Sequence, residues 1–269
     1  MKKLIIVITI SALYFPALSQ VPGDKRSKAD TRREERRQKI NDLIRQDEEG
    51  VLIYSKQSIF GVQMRTNGYG FFIEKGKTKS QSNSSLYSLE LSEIKHRKED
   101  KLPNGTGGIS FGNPYIYGKL NNFYQLQLGF GQQRMLGQKG NKNGVAVSLI
   151  YKGGLSLGLL RPYYIDVLDN SRINKTIKYT RQDSALFVSG FIVGGAGLGK
   201  GWNEMEFKPG AFAKTALRFD FGRFNEVVSA IEIGVSADFY SSKIPQMLFQ
   251  KENQFFYQGH IAVMFGHRK

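Results

Sequence analysis

The chain has 269 residues and carries 39 Lys and Arg against 23 Asp and Glu, a formal net charge of +16. It has no cysteine, which excludes disulfide scaffolds, thiolate metal sites and cysteine nucleophiles, and three scattered histidines argue against a histidine-rich metal site. A mean hydropathy of −0.36 with 40% apolar residues excludes a helical membrane protein with several spans.

The first 19 residues have the pattern of a secretory signal peptide. Lys2 and Lys3 precede an apolar run, and Ala17 and Ser19 are small residues placed for cleavage before Gln20. The alternative is an uncleaved anchor helix, but the small residues at the end of the apolar run favour cleavage. Because no later segment approaches the roughly eighteen apolar residues of a spanning helix, we expect an exported protein that enters a membrane only through β-strands.

Residues 20–57 are predicted to form a periplasmic helical arm. Within them, residues 24–49 are almost wholly charged, and the only apolar stripe at helical period consists of Ile40, Leu43 and Ile44. One interpretation is a solvated helix or leader, and the other is an arm that contacts a partner or anionic lipid head groups. Nucleic acid is not an expected partner, because the chain is exported.

From residue 58 to the end, apolar and polar residues alternate with period two, which is typical of strands. The clearest run, residues 227–240, puts Ile231 and Ile233 on one face and Glu232 and Asp238 on the other. Several runs reach about ten to fifteen residues, the length of a tilted membrane strand. Lipid supplies no hydrogen-bond partners, so a sheet inside it must close on itself. We therefore predict an all-β fold, a transmembrane antiparallel β-barrel over residues 58–269.

The strand count follows from the same alternation. The Thr66-Asn67-Gly68 turn signal and the Gly153-Gly154 pair each lie within a long region, and two hairpins there would raise the count from eight to ten. Both counts remain open at this point. The eight main strand regions are 58–76, 84–95, 121–133, 144–160, 184–193, 208–222, 226–240 and 253–266.

Either even count places both termini in the periplasm. Residues 221–225 are then expected to form a tight periplasmic turn, and the segments 134–143 and 241–252 are expected to point outward. Segment 96–120 would be a long periplasmic turn if the barrel has eight strands, and an extracellular loop if it has ten.

The final strand alternates and closes on an aromatic residue, Phe265, although three residues still follow Gly266. Together with the signal peptide, this pattern resembles that of small Gram-negative outer-membrane β-barrel proteins of the OmpA and OmpX type. The resemblance covers residues 1–19 and 58–266. It implies residence in the outer membrane, passage across the periplasm with chaperones, and insertion by the barrel-assembly machinery.

Few features of the sequence indicate catalysis. Residues 194–200 match half of a phosphate-binding loop, but the residue after Lys200 is Gly201 rather than Ser or Thr, so a glycine-rich bend explains the segment better. His260 is predicted to face the lumen, and no G-x-S-x-G elbow accompanies it. We expect no enzyme activity, no cofactor and no metal.

The charges on the polar strand faces form the one constellation of interest. In a narrow barrel they are expected to pair as a plug that fills the lumen, and the alternative is a polar path for small solutes. The candidate lumen network consists of Lys214, Arg218, Asp220, Glu232, Asp238 and His260.

Basic clusters at 75–79, 96–101 and 172–181 occupy predicted connections. They are solvated, or they contact lipopolysaccharide phosphates, anionic phospholipid or a protein partner. The sequence therefore favours a non-catalytic outer-membrane barrel with a structural role or an accessory role in assembly or secretion. Its expected partners are outer-membrane lipid and an envelope protein complex. The alternatives are a narrow channel for small solutes and a surface binding or adhesion barrel.

Overall fold

The computed structural model describes residues 32–41, 54–80, 82–103, 105–106, 109–110, 113–140, 143–169, 173–222 and 226–269. The predicted signal peptide lies outside these residues. The chain divides into two compact units, residues 1–42 and 43–269. The described part of the first unit is one exposed helix, α1, at residues 32–41. In the described part of the chain, no helix combines the length and apolar character that a membrane crossing needs.

The second unit is built almost entirely of strands. Eight long strands form one sheet: β1 (Lys56–Arg65), β2 (Gly68–Ser80), β3 (Asn83–Ile94), β8 (Asn121–Gly137), β9 (Ala146–Pro162), β13 (Glu206–Asp220), β14 (Val227–Ile244) and β15 (Asn253–Arg268). The connections contain seven shorter strands and two short helices: β4 (Lys101–Leu102), β5 (Gly105–Thr106), β6 (Ile109–Ser110), β7 (Tyr115–Ile116), β10 (Tyr164–Leu168), β11 (Asn174–Lys178), α2 (Ser184–Ser189), β12 (Phe191–Gly195) and a 3-10 turn at Trp202–Glu204.

The eight long strands close into an antiparallel barrel in the order β1-β15-β14-β13-β9-β8-β3-β2. The ring closes between the first and last strands, where Gln57 pairs with Arg268 and Arg65 pairs with His260. Closure leaves the sheet without an unpaired edge. The predicted all-β fold and the count of eight are confirmed.

The two ends of the barrel differ in their connections. The terminal end, where β1 begins and β15 ends, carries the short links after β2, β8 and β13. The far end carries the β1–β2 hairpin and the three remaining connections. Two of these, residues 95–120 and 163–205, are long and form small sheets of their own.

The count of eight is reached through different strands from those predicted. The Thr66-Asn67-Gly68 signal is a true hairpin, so the first predicted region becomes β1 and β2. Gly153 and Gly154 do not break the chain but lie inside β9. A Cβ on Gly154 would come within 2.0 Å of the carbonyl oxygen of Leu128, so glycine permits close approach of β8 and β9 there.

The prediction of a strand at 184–193 is wrong. These residues form α2 and the start of β12, which pairs with β10 in a three-stranded sheet at the far end. The reason is a separate small core, in which the buried side chain of Phe187 packs with apolar residues of that sheet. Its other buried members are Ile165, Val167 and Ile177.

Two predictions of loop direction also change. Segments 134–143 and 241–252 were expected on the same side, but the link after β8 lies at the terminal end and the link after β14 lies at the far end. With eight strands, segment 96–120 was expected at the terminal end, and it lies at the far end. Both errors follow from the early hairpin, because one additional strand before residue 84 reverses the direction of the strands that follow.

The two faces of the barrel wall have opposite character. The alternation along β13 and β14 is regular. Outward-facing residues are mostly exposed and apolar, whereas inward-facing residues are mostly buried and include the charged side chains of Lys214, Arg218, Asp220, Glu232 and Asp238. The outward face includes Leu155, Val235, Leu128, Ile261 and Ile233, each at least half exposed. The interior also holds apolar side chains, which pack in three clusters among the polar ones.

Candidate functional site

Ten charged side chains, five cationic and five anionic, are buried inside the barrel. We call these ten residues the interior charge network. They come from seven of the eight barrel strands, because each strand turns every second residue inward. Its members are Arg65, Glu74, Glu90, Lys152, Lys214, Arg218, Asp220, Glu232, Asp238 and Arg268.

Arg218 is the central cation of this network, and its residue exposes only 1% of its surface. Its Nη1 and Nη2 donate to the two carboxylate oxygens of Glu74 at 2.7 and 3.1 Å, and its Nε and Nη2 donate to Oε2 of Glu232 at 3.2 and 2.8 Å. Glu232 is directly opposite Arg218 on the neighbouring strand. Glu74 is on β2, four strands away around the ring. One guanidinium therefore bridges the full width of the lumen.

Two lysines complete the centre of the network. Lys152 Nζ lies 2.6 Å from Glu90 Oε1, and Lys214 Nζ lies 3.3 Å from Glu90 Oε2. Each ammonium group also lies 5.6 Å from the ring centroid of Phe72, which is buried between them. The aromatic face adds cation–π attraction where water is excluded. Three cations thus meet three carboxylates at the centre of the lumen, since Glu74 and Glu232 also face these lysines.

An ion pair lies toward each end of the barrel. At the far end, Arg65 Nη2 lies 3.4 Å from Asp238 Oδ2 and Nη1 donates to Oε1 of Gln125 at 2.6 Å. Gln127 donates to Asp238 Oδ1 at 2.6 Å. At the terminal end, Arg268 pairs with Asp220. Ion pairs therefore lie at three levels along the lumen, and at the central level Arg218 joins opposite walls.

His260 adjoins the network at Glu232. Its Nε2 lies 3.2 Å from Oε1 of Glu232, and the residue is 3% exposed. Gly234 leaves the space for its ring, since a Cβ there would come within 2.7 Å of His260 Cε1. In the residues the structure describes, no cluster of His, Asp and Glu is arranged to hold a metal ion.

All six candidate residues from the sequence lie inside the barrel, but they do not form one group. Lys214, Arg218, Glu232 and His260 meet at the centre, whereas Asp220 and Asp238 belong to the two outlying pairs. Sequence reasoning considered β13 and β14 and missed half of the network. The alternation along the other strands would have placed the missing members inward: Arg65, Glu74, Glu90, Lys152 and Arg268.

The sequence matches no protein-family model and no curated protein. Among solved structures, the chain is similar to Ail, the attachment invasion locus protein of Yersinia pestis, at 11% identity and a TM-score of 0.39, over 81% of this chain and 100% of Ail. It is similar to Neisserial surface protein A at 8% identity and a TM-score of 0.38, over 80% and 96% of the two chains.

A further similarity is to the N-terminal β-barrel domain of Pseudomonas aeruginosa OprF, at 8% identity and a TM-score of 0.35, over 79% of this chain and 98% of that domain. All three are small outer-membrane β-barrel proteins. The fold assignment itself rests on the closed strand order described above.

Proposed function

We propose that the protein is an integral outer-membrane β-barrel with a plugged lumen and a non-catalytic role, structural or as an accessory to envelope assembly or secretion. The observation that carries this proposal is the inverted wall, with apolar side chains exposed outside and paired charges buried inside. Such a wall is unfavourable in water, because it leaves large apolar surfaces hydrated. In a bilayer the outer face meets acyl chains and every backbone group remains paired within the ring.

Aromatic residues on the outer wall support the same placement. Near the far end, the rings of Phe239 and Phe255 are 4.7 Å apart between their centroids, and near the terminal end Phe60 and Phe265 face each other across neighbouring strands. All four are exposed. Aromatic side chains at two levels are typical of the girdles at the two interfaces of a membrane barrel.

The filled lumen favours a plug over the narrow channel that the sequence left open. Arg218 links opposite walls, and the ion pairs of Arg65 and Arg268 lie above and below it. Ions would have to displace charge-assisted hydrogen bonds between buried side chains.

Single-channel recording tests the plug. We expect the purified protein, inserted in planar bilayers at neutral pH, to show no stepwise conductance, because Arg218 joins opposite walls of the lumen and further ion pairs lie on either side of it. A truncated protein that lacks residues 20–53 serves as a control for any effect of the charged arm. Reproducible unitary steps from both proteins would favour the channel instead.

Surface proteolysis tests the direction of the barrel. With both termini in the periplasm, the far end faces outward, so protease added to intact cells is expected to cut within 95–120 and 245–252 and to leave 138–145 intact. Permeabilised cells provide the control, in which the terminal-end link also becomes accessible. Cleavage of 138–145 in intact cells would reverse the orientation.

Insertion by the barrel-assembly machinery and contact with outer-membrane lipid and lipopolysaccharide follow from this placement as parts of the proposal. Binding to a surface ligand remains the second role to test, since the far end carries a sheet with its own core and exposed apolar residues such as Ile173 and Phe191. An envelope complex would appear instead as stable co-purification from mild detergent.

A further inference from the structure

A groove of about 780 Å³ lies at the far end of the barrel, where the wall strands meet the connection after β3. Its apolar part is formed by outward-facing residues of β1 and β2, namely Val62, Met64 and Phe71, which are 55%, 76% and 48% exposed. This part is continuous with the apolar outer wall. The remaining lining combines charged side chains with tyrosines and further apolar residues.

Arg161, near the end of β9, lines the polar part of the groove and is 2% exposed. Its Nη1 donates to the carbonyl oxygen of Leu198 at 2.7 Å, and its Nε has no hydrogen-bond partner. The guanidinium carbon lies 4.8 Å from the ring centroid of Trp202 and 5.7 Å from that of Tyr124. No described carboxylate forms an ion pair with it.

This lack of an ion pair distinguishes Arg161 from the interior charge network, where every cation meets a carboxylate. Four described cations line the groove: Lys95, Lys101, Lys119 and Arg161. Two carboxylates, Glu93 and Glu99, line it as well, and Glu99 is paired with Lys119 while Glu93 accepts a hydrogen bond from Tyr69. Four cations against two carboxylates leave a surplus of two positive charges.

A buried cation without a counter-charge is costly, and an anionic ligand would relieve that cost. We propose that the groove binds an anionic membrane lipid whose head group carries phosphate, with the phosphate on Arg161 and the acyl chains along Val62, Met64 and Phe71. The inference rests on the proposed function, because it requires the outer wall to lie in a bilayer.

The chemistry of the groove favours a phosphate-bearing lipid over other anions. A guanidinium presents a planar fork of donors that suits phosphate oxygens, and Lys95 and Lys101 line the same groove as additional cations. The apolar residues lie on the same strands as the lipid-facing wall, so a bound molecule would need both an anionic head and an apolar tail. A free anion would use only the basic half.

The protein contains one tryptophan, Trp202, and its ring lies against the guanidinium of Arg161, the residue proposed to bind the phosphate. Its fluorescence therefore reports lipid at this position. The protein is refolded into phosphatidylcholine vesicles that contain either brominated phosphatidic acid or brominated phosphatidylcholine, and the quenching of Trp202 is compared. We expect phosphatidic acid to be preferred about tenfold, the strength of a hydrogen bond to a charged group.

The variant R161Q is expected to lose most of this preference, whereas R134Q is expected to retain it. Arg134 is a matched control, because it is an exposed arginine on β8 near the terminal end. Flotation of each protein with the vesicles shows separately whether it is membrane-embedded. If R161Q does not refold, the quenching of the wild-type protein by the two brominated lipids still tests whether the groove prefers the anionic lipid.

Three outcomes would overturn the proposal. Equal quenching by the two brominated lipids would show that the groove does not select an anionic head group. Displacement of the brominated phosphatidic acid by millimolar inorganic phosphate would indicate a site for free anions. Failure to float with vesicles would refute the membrane placement itself, and the groove proposal with it.

Discussion

Replacing Arg218 with leucine is expected to lower the free energy of unfolding by about 3–5 kcal/mol, the usual cost of removing one partner from a buried ion pair. The leucine cannot donate to Glu74 or Glu232, and both carboxylates remain inside the barrel. Urea unfolding of the protein refolded in vesicles would measure the change.

Two comparisons separate this effect from a general loss of packing. R134L removes an exposed arginine from the outer wall and is expected to change stability by only about 0.5 kcal/mol or less. Adding E74Q to R218L removes one of the stranded charges and should recover part of the loss. If R218L and R134L unfold at the same urea concentration, the network does not stabilise the barrel.

The class of fold could be predicted from the sequence because the period-two alternation is a local property of each strand. The assignment of individual strands could not be fully predicted, because it depends on contacts between distant residues. Gly154 illustrates this limit: a glycine pair is a turn signal by itself, but here it allows β8 and β9 to approach closely. Residues 184–193 are a second case, since Phe187 finds its core in the far-end sheet.

The presence of buried charges in the lumen could be predicted from the sequence, but the partner of each charge could not. The opposition of Arg218 and Glu232 follows from adjacent antiparallel strands and was visible in the sequence. The bond from Arg218 to Glu74 joins strands on opposite sides of the ring, and its partner depends on ring closure and register. Arg161 was not identified at all, because the rings that cover it come from different segments of the chain.

The second large effect concerns the outer wall. Leu155 lies near the middle of β9, faces outward and is 71% exposed. In a bilayer, replacing it with arginine is expected to reduce the free energy of unfolding by about 2–4 kcal/mol, because the charge enters the hydrocarbon midplane. In a water-soluble barrel the same change would place a charge on a solvated surface and would cost almost nothing.

The depth dependence of this cost makes the experiment decisive. Val227 is the first residue of β14, at the terminal end, and also faces outward. V227R should therefore cost only about 0–1 kcal/mol, the range for an arginine near an interface. Urea unfolding of both variants in vesicles measures the difference. Equal costs at the two depths would mean that no hydrocarbon layer surrounds the barrel, whereas a larger cost for L155R ties the stability of the chain to the bilayer.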